Sequence, residues 1–191
     1  MKLDPKTTAV LSLDMQEGIL GFLPEATAAF PPAAQVLDAA RKGGFTVIHV
    51  GIGFEPGYPE ISPNHKRFAM IRESGRFIKG SDSAKIHPSI FKEGDMVVYK
   101  HRVSAFAGNA LSMILHSKGI ETLVLMGIAT SGIVLSTIRA ATDLDFQCVV
   151  IKDACFDRDA EVHRVLTEKV FAAQGTVITA QEFVADYAGI K

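Results

Sequence analysis

Short apolar runs alternate with segments of helical spacing along most of this chain, and this alternation limits the folds open to it. The strand-like runs are nearly continuous; they read AVLSL, FTVIHVG, MVVY, TLVLMG, QCVVIKDA and GTVITA. Continuous runs are typical of parallel strands that are covered on both faces, and the helices between them can provide that cover. The pattern predicts an α/β fold of three layers, α/β/α, around a mostly parallel six-stranded sheet.

Capping residues and helical spacing predict two helices, one after the third strand and one after the fourth. Ser104 is expected to cap a helix that carries Ala107, Leu111 and Leu115 on one face. A second helix is expected from about Ser131 to Asp143.

Composition and charge are those of an ordinary globular domain. Apolar residues make up 48% of the 191 residues, charged residues make up 21%, and the formal net charge is -1. A nearly neutral chain gives no indication of a nucleic acid or an anionic membrane as partner. No apolar run approaches the ~18 residues that cross a bilayer, and the first ten residues do not resemble a signal peptide. We therefore expect a single domain over residues 1–191, located in the cytoplasm.

The segment 51–94 departs from the alternation. It is rich in proline and glycine and contains a short basic piece, His65–Arg76. Long insertions of this kind often cover the ligand edge of a sheet, where Arg67, Arg72 or Arg76 could contact an anionic substrate group. A surface excursion with solvated charges explains the same residues equally well, and the sequence leaves both interpretations open.

Residues that can do chemistry stand at the ends of three predicted strands. The first strand ends at Asp14, the third ends at Lys100, and the fourth leads into the small residues of GIATSG. Parallel strands place their carboxyl ends along one edge, where open α/β sheets bind ligands. A carboxylate, an ammonium group and a turn with exposed backbone N–H groups are therefore predicted to converge. Taken alone, Asp14 is more simply explained as a turn or helix-cap residue, but the three elements together favour a site. Lys100 could be a solvated surface lysine, but its position at the end of a buried strand near Asp14 is better explained by pairing.

Taken together, the three elements resemble a known family. The chain reads LSLDMQEG, VVYKHRVSAFAGNAL and LVLMGIATSGIVLSTIRAATDLDF, and in this it is similar to the isochorismatase-like hydrolases, which include the cysteine amidohydrolases. The resemblance extends over nearly the whole chain. It implies the strand order 3-2-1-4-5-6, a homo-oligomer and a small-molecule substrate. It also implies that Asp14 is the general base and that Lys100 supports it.

The position of the family's nucleophilic cysteine is occupied by Ile133. An isoleucine has no lone pair with which to attack a carbonyl carbon, so covalent catalysis by this side chain is excluded. The resemblance therefore implies a variant that lacks the catalytic cysteine. True isochorismatases also lack it and use an aspartate as proton donor, and Asp14 could act in this way if its pKa were raised.

Backbone features of the family site do not depend on the substituted side chain. The resemblance implies an oxyanion hole formed by the backbone N–H groups of Ala129 and Ile133, and a cis peptide bond between Ile128 and Ala129. Thr130 and Ser131 are more simply explained as helix-start residues than as nucleophiles.

Other reactive residues have simpler explanations. Cys148 lies in a predicted strand and indicates core, and a structural role for Cys155 is favoured over a relocated nucleophile. His49 lies within an apolar strand, which favours a hydrogen-bonded core histidine. The segment HVGIGFEPG has no carboxylate and histidine pair at ligand spacing, so no metal and no other cofactor is expected.

Two functions from different classes are compatible with these residues. The first is a hydrolase that acts on a small molecule without a cysteine nucleophile and uses Asp14 as acid and base. The second is a catalytically degenerate family member that binds a small ligand or a partner. Retention of both Asp14 and Lys100 favours the first function, because a buried charge pair alone does little for stability. The isoleucine at position 133 favours the second.

Overall fold

The computed structural model describes residues 3–187, which form a six-stranded sheet with helices on both faces. The strands are β1 (Thr8–Leu13), β2 (Thr46–Ile52), β3 (Met96–Lys100), β4 (Thr122–Ile128), β5 (Gln147–Phe156) and β6 (Thr176–Ile178). The strand pairings are parallel, and the order across the sheet is β3-β2-β1-β4-β5-β6. The predicted fold class and strand order are confirmed.

Within the described residues, α-helices connect and flank the strands. They are α1 (Glu17–Leu20), α2 (Phe30–Lys42), α3 (Lys66–Ser74), α4 (Leu111–Ser117), α5 (Leu135–Asp143), α6 (Ala160–Val165) and α7 (Ala180–Tyr187). Tighter 3-10 turns lie at Pro24–Ala29, Asp82–Ala84 and Phe171–Ala173, and wider π-helical turns lie at Thr130–Val134 and Leu166–Val170. α2 packs against α7 and against strands β2 and β5.

The two central strands explain why the apolar runs are continuous. Each residue of β1 and of β4 is buried, because helices cover both faces of the sheet at its centre. Burial of apolar surface contributes roughly 25 cal/mol per Å², so long runs of Val, Leu and Ile at these positions are strongly favoured.

A hydrogen-bonded network of polar side chains lies within this core, between β1 and α2. Ser12 Oγ hydrogen-bonds to His49 Nδ1 at 2.7 Å, and His49 Nε2 lies 3.1 Å from Asp95 Oδ2. Asp95 also accepts a hydrogen bond of 2.6 Å from Arg41 of α2. Burial lowers the pKa of His49 and outweighs the neighbouring carboxylate, so the ring is neutral. Since Ser12 is fully buried, this network is structural, and His49 is a hydrogen-bonded core histidine.

The predicted helix capped by Ser104 is wrong. Residues 101–110 form bends and turns, and α4 begins only at Leu111, whose N–H is bound by the Asn109 side chain at 2.9 Å. Ser104 Oγ accepts the N–H of Phe106 and closes a local turn instead. Gly108 interrupts any helix here, because its φ of 79° lies in the left-handed region.

The helix predicted from Ser131 starts later than expected. A π-helical turn, Thr130–Val134, precedes α5, which begins at Leu135. The N–H groups of Gly132 and Val134 both bind the Ala129 carbonyl oxygen, at 3.0 and 3.3 Å. Position 133 therefore lies in a wide turn rather than in the first turn of an α-helix.

The segment between β2 and β3, residues 53–95, is more ordered than its composition indicates, and we call it the cap. It contains α3 and a bridge between Phe54 and Ile78. Its apolar side chains form a second, smaller core with the end of β2; the members are Ile52, Phe54, Tyr58, Ile61, Phe68 and Phe77. The cap is therefore a packed element and not a solvated excursion.

The neutral state of His49 predicts how stability depends on pH. Because its pKa is lowered in the fold, the unfolded chain binds a proton that the folded chain does not, and stability should fall as the pH drops below about 6.5. Urea unfolding at a series of pH values measures this slope. We expect His49→Gln to flatten it, whereas His116→Gln, at an exposed helix position, should leave it unchanged. If stability depended on pH equally in the two variants, the assignment of His49 as a neutral, buried histidine would be wrong.

Candidate active site

Asp14 and Lys100 meet at the carboxyl edge of the sheet. Asp14 directly follows β1, and Lys100 is the last residue of β3. Lys100 Nζ lies 3.0 Å from Asp14 Oδ2, and the two side chains are only 2% and 10% exposed. The ammonium group also donates a hydrogen bond of 3.0 Å to the carbonyl oxygen of Arg102. Two residues far apart in sequence thus form a buried ion pair.

The backbone at Asp14 turns the chain sharply out of the sheet. Its φ of 54° lies in the left-handed region, which aspartate tolerates better than most residues, and its N–H binds the Val50 carbonyl oxygen at 2.8 Å. Oδ2 faces Lys100, whereas the buried Oδ1 has no hydrogen-bond partner among residues 3–187. One carboxyl oxygen is therefore left to hold a proton or to bind a ligand.

Burial raises the pKa of Asp14 above its ordinary value of 3.8. The charge and hydrogen bond of Lys100, the charge of Arg67 and the backbone N–H of Ile52 act in the opposite direction. The ion pair alone would indicate a low pKa, but the loss of hydration is the larger effect because both partners are withdrawn from water. The net direction is upward, so the pKa of this carboxyl group lies above that of an exposed aspartate.

The turn after β4 is held by one side chain from the connection between β5 and α6 and by one from α6 itself. It begins with a cis peptide bond between Ile128 and Ala129. Ser131 donates its N–H to Asp157 Oδ2 at 2.7 Å, and Thr130 Oγ1 hydrogen-bonds to His163 Nδ1 at 2.9 Å. Thr130 and Ser131 therefore contribute to the shape of the turn.

A cavity of about 580 Å³ brings these elements together. Asp14, Lys100, Ala129 and Ile133 all line it, and Ile133 is buried. The remaining walls are mostly apolar and come from α1 and the residues after it, from the cap, from the loop after β3 and from the connection after β5. Such a volume and lining are typical of sites for small organic ligands.

Neither cysteine takes part in this cavity. Cys155 pairs with Gly127 across β4 and β5, and Cys148 lies earlier in β5. Burial raises the pKa of each thiol to about 12. Residues 3–187 contain no cluster of His, Cys, Asp and Glu suited to a metal ion. None of the helices described there has the length and apolar content of a membrane span.

Two polar residues that frame the site were not found from the sequence. Gln16 is fully buried and ties the end of β1 to β2 and the cap: its Nε2 donates to the carbonyl oxygens of Ile52 and Ala84 at 2.9 and 2.7 Å. Its position two residues after Asp14 was the available signal. Asp157 gave none, because it binds the Ser131 turn from 26 residues away.

Comparison with known proteins supports the resemblance seen in the sequence. The family model of the isochorismatase domain matches residues 8–182. The uncharacterized isochorismatase family protein YwoC of Bacillus subtilis is 31% identical over 185 residues, which cover 96% of either chain. The ureidoacrylate amidohydrolase RutB of Azorhizobium caulinodans is 33% identical over 207 residues, covering 96% of this chain and 91% of the relative.

Solved structures agree in fold. A cysteine hydrolase from Pseudomonas syringae pv. phaseolicola has a TM-score of 0.89 at 19% identity, over 100% of this chain and 97% of that chain. At this identity the likeness shows the fold alone. The match of the domain model over most of the chain, with relatives above 30% identity along nearly its full length, shows that this protein belongs to the isochorismatase family.

Proposed function

We propose that this protein hydrolyses a small molecule through Asp14, without a cysteine nucleophile. The observation that carries the proposal is a buried carboxyl group with a raised pKa, whose Oδ1 has no partner among the described residues and which lines a cavity beside Lys100. Perturbed carboxyl groups in clefts are characteristic of general acids. The name of the relative RutB, a ureidoacrylate amidohydrolase, also supports hydrolysis of a small molecule.

In the proposed reaction the neutral Asp14 donates its proton to the leaving heteroatom of the substrate. Lys100 stabilises the carboxylate that forms, because its ammonium group lies 3.0 Å from Oδ2. A water molecule adds to the carbon from which the heteroatom departs, and the Asp14 carboxylate accepts a proton from that water. One water is thereby added across the cleaved bond, and the acid is regenerated.

The local chemistry supports a route without a thiol. The side chain at position 133 has no nucleophilic atom, and thiols with a pKa of about 12 hold almost no thiolate at neutral pH. The backbone N–H groups of Ala129 and Ile133 are the proposed donors to an oxyanion. They depend on the turn and not on the side chain at position 133.

A non-catalytic family member that binds a small ligand is the second candidate. The observation that favours it is Ile133, an apolar side chain buried against the cavity at the position where the family carries its nucleophile. A screen of vinyl ethers, amides and small acid derivatives separates the two candidates. Turnover supports the hydrolase, and binding without turnover across the screen supports the second candidate.

Replacement of Asp14 by Asn is expected to abolish most of the activity. Asn keeps the shape and tolerates the left-handed backbone but cannot transfer the proton, so kcat on a substrate found in the screen should fall about 100-fold or more. Asp145→Asn is the matched control, because Asp145 has a φ of 64° and is exposed. Parent-like turnover by Asp14→Asn would rule out the proposed mechanism.

Removal of the Lys100 charge is expected to raise the pKa of Asp14 further. Lys100→Met keeps the length of the side chain but deletes the positive charge that favours the carboxylate. Carbon-13 NMR of the labelled carboxyl groups, assigned by the signal that Asp14→Asn loses, measures the titration in folded protein. A pKa that stays the same or falls would show that the two groups do not act as a unit.

A thiol introduced at position 133 is expected to be activated. Ile133→Cys places sulfur in the cavity near Lys100 and the turn, so its pKa should lie below the reference of about 8.5. It should react with iodoacetamide near pH 7 faster than Cys148 and Cys155. The lost apolar volume should cost roughly 1–3 kcal/mol of unfolding free energy.

Val103→Cys is the control for this experiment, since Val103 lines the same cavity outside the turn. An alkylation rate for Ile133→Cys no higher than that of Val103→Cys would show that the turn and Lys100 no longer stabilise an anion. The ligand-binding candidate would then be the better one.

A further inference from the structure

The cavity has a charge opposite in sign to that of the whole chain. Three basic side chains line it, Arg67, Lys100 and Arg158, against two acidic ones, Asp14 and Asp157. The chain as a whole carries a formal charge of -1. Protonation of Asp14 would make the cavity still more positive. This electrostatic environment favours an anionic ligand.

Among these cations, Arg67 is the one that no side chain or carbonyl group of residues 3–187 binds. Lys100 is bound by Asp14 and by the Arg102 carbonyl oxygen, and Arg158 donates to the carbonyl oxygen of Phe22 at 2.9 Å. The Arg67 side chain is exposed and makes no side-chain hydrogen bond or ion pair with any residue between 3 and 187.

The position of Arg67 suits a ligand that also reaches the acid. Its guanidinium nitrogens would lie 3.6 and 3.9 Å from a Cβ added to Gly132, so the group lies against the turn that follows β4. Its positive charge also lowers the pKa of Asp14, which shows that the two groups lie within electrostatic reach of each other. A planar guanidinium can bind a carboxylate through two hydrogen bonds, which fixes the orientation of the ligand.

The other walls of the cavity are apolar and partly open to solvent. Met70 and Phe22 are 70% and 48% exposed, which is unusual for large apolar side chains, and both line this cavity. Phe22 is held between the Phe77 ring, at 6.3 Å, and the Arg76 guanidinium, at 4.5 Å. Phe22 and Phe77 therefore present an aromatic surface to the cavity.

We infer that the substrate is an amphiphilic monoanion, with a carboxylate bound by Arg67 and an aromatic or branched aliphatic body against Phe22, Met70 and Ile133. One guanidinium without a partner among the described residues can bind one negatively charged group, so the ligand is expected to carry a single charge. The apolar walls favour an apolar body for the rest of the ligand. The inference rests on the proposed function in that it takes this cavity as the substrate site. It is tested by binding, without turnover.

The test uses three probes and isothermal titration calorimetry on the full chain. The probes are 4-phenylbutyrate, the uncharged 4-phenylbutanamide of the same shape, and butyrate, which has the charge without the aromatic body. We expect 4-phenylbutyrate to bind about tenfold or more tightly than either of the other probes. Arg67→Gln should bring 4-phenylbutyrate down to the affinity of the amide.

Arg72→Gln is the matched control, because Arg72 is an exposed arginine of α3 that does not line the cavity. It should keep the preference for the carboxylate. The inference is overturned if the amide or butyrate binds as tightly as 4-phenylbutyrate, if none of the three binds, or if Arg67→Gln behaves like Arg72→Gln. Melting temperatures of both variants verify that they fold.

The same titration in Asp14→Asn separates this inference from the proposed function. Asn at position 14 removes proton transfer but leaves Arg67 and the apolar walls in place, so 4-phenylbutyrate should still bind more tightly than the amide. Binding kept in a protein without turnover would support the ligand class while the hydrolytic mechanism fails. Turnover of a substrate by a protein that does not prefer 4-phenylbutyrate to the amide would support the hydrolytic mechanism while the ligand class fails.

Discussion

The buried contact between Asp14 and Lys100 is the interaction on which the candidate site depends. Asp14 follows β1 and Lys100 ends β3, and β2 lies between these two strands in the sheet. They meet at a distance of 3.0 Å because parallel strands end on the same edge and β1 turns sharply at Asp14. Removing two charges from water is unfavourable unless they are paired and hydrogen-bonded, so each partner needs the other. The strand order is therefore a condition for the chemistry.

The cap encloses this contact and withdraws it from water. Its own apolar core holds Phe68 and Phe77 in place, and these side chains form walls of the cavity above Asp14. Exclusion of water raises the pKa of Asp14. The proposed preference for an apolar ligand rests on the same walls. On the opposite side, Asp157 and His163 hold the turn that carries Ile133.

Much of the fold could be predicted from the sequence because its signals are local. Continuous apolar runs marked the central strands, and three motifs pointed to Asp14, Lys100 and the turn after β4. The helix from Ser104 was wrong because Gly108 adopts a left-handed conformation that the surrounding apolar spacing does not indicate. The cap was described as irregular because its second core joins residues spread along the chain, such as Ile52 and Phe77, without any periodic pattern.

The sequence by itself determined the fold class and the absence of a thiol at position 133, since these follow from apolar patterning and from the identity of one residue. Only the tertiary structure decided that Asp14 has a raised pKa, that Arg67 lies over Gly132 without a partner in the described chain, and that Asp157 binds the turn. A pKa depends on burial and on charges brought in from other strands. The availability of a guanidinium depends on which carboxylates and carbonyl groups lie within reach. Both are properties of distances in space, and the spacing of residues along the chain carries no record of them.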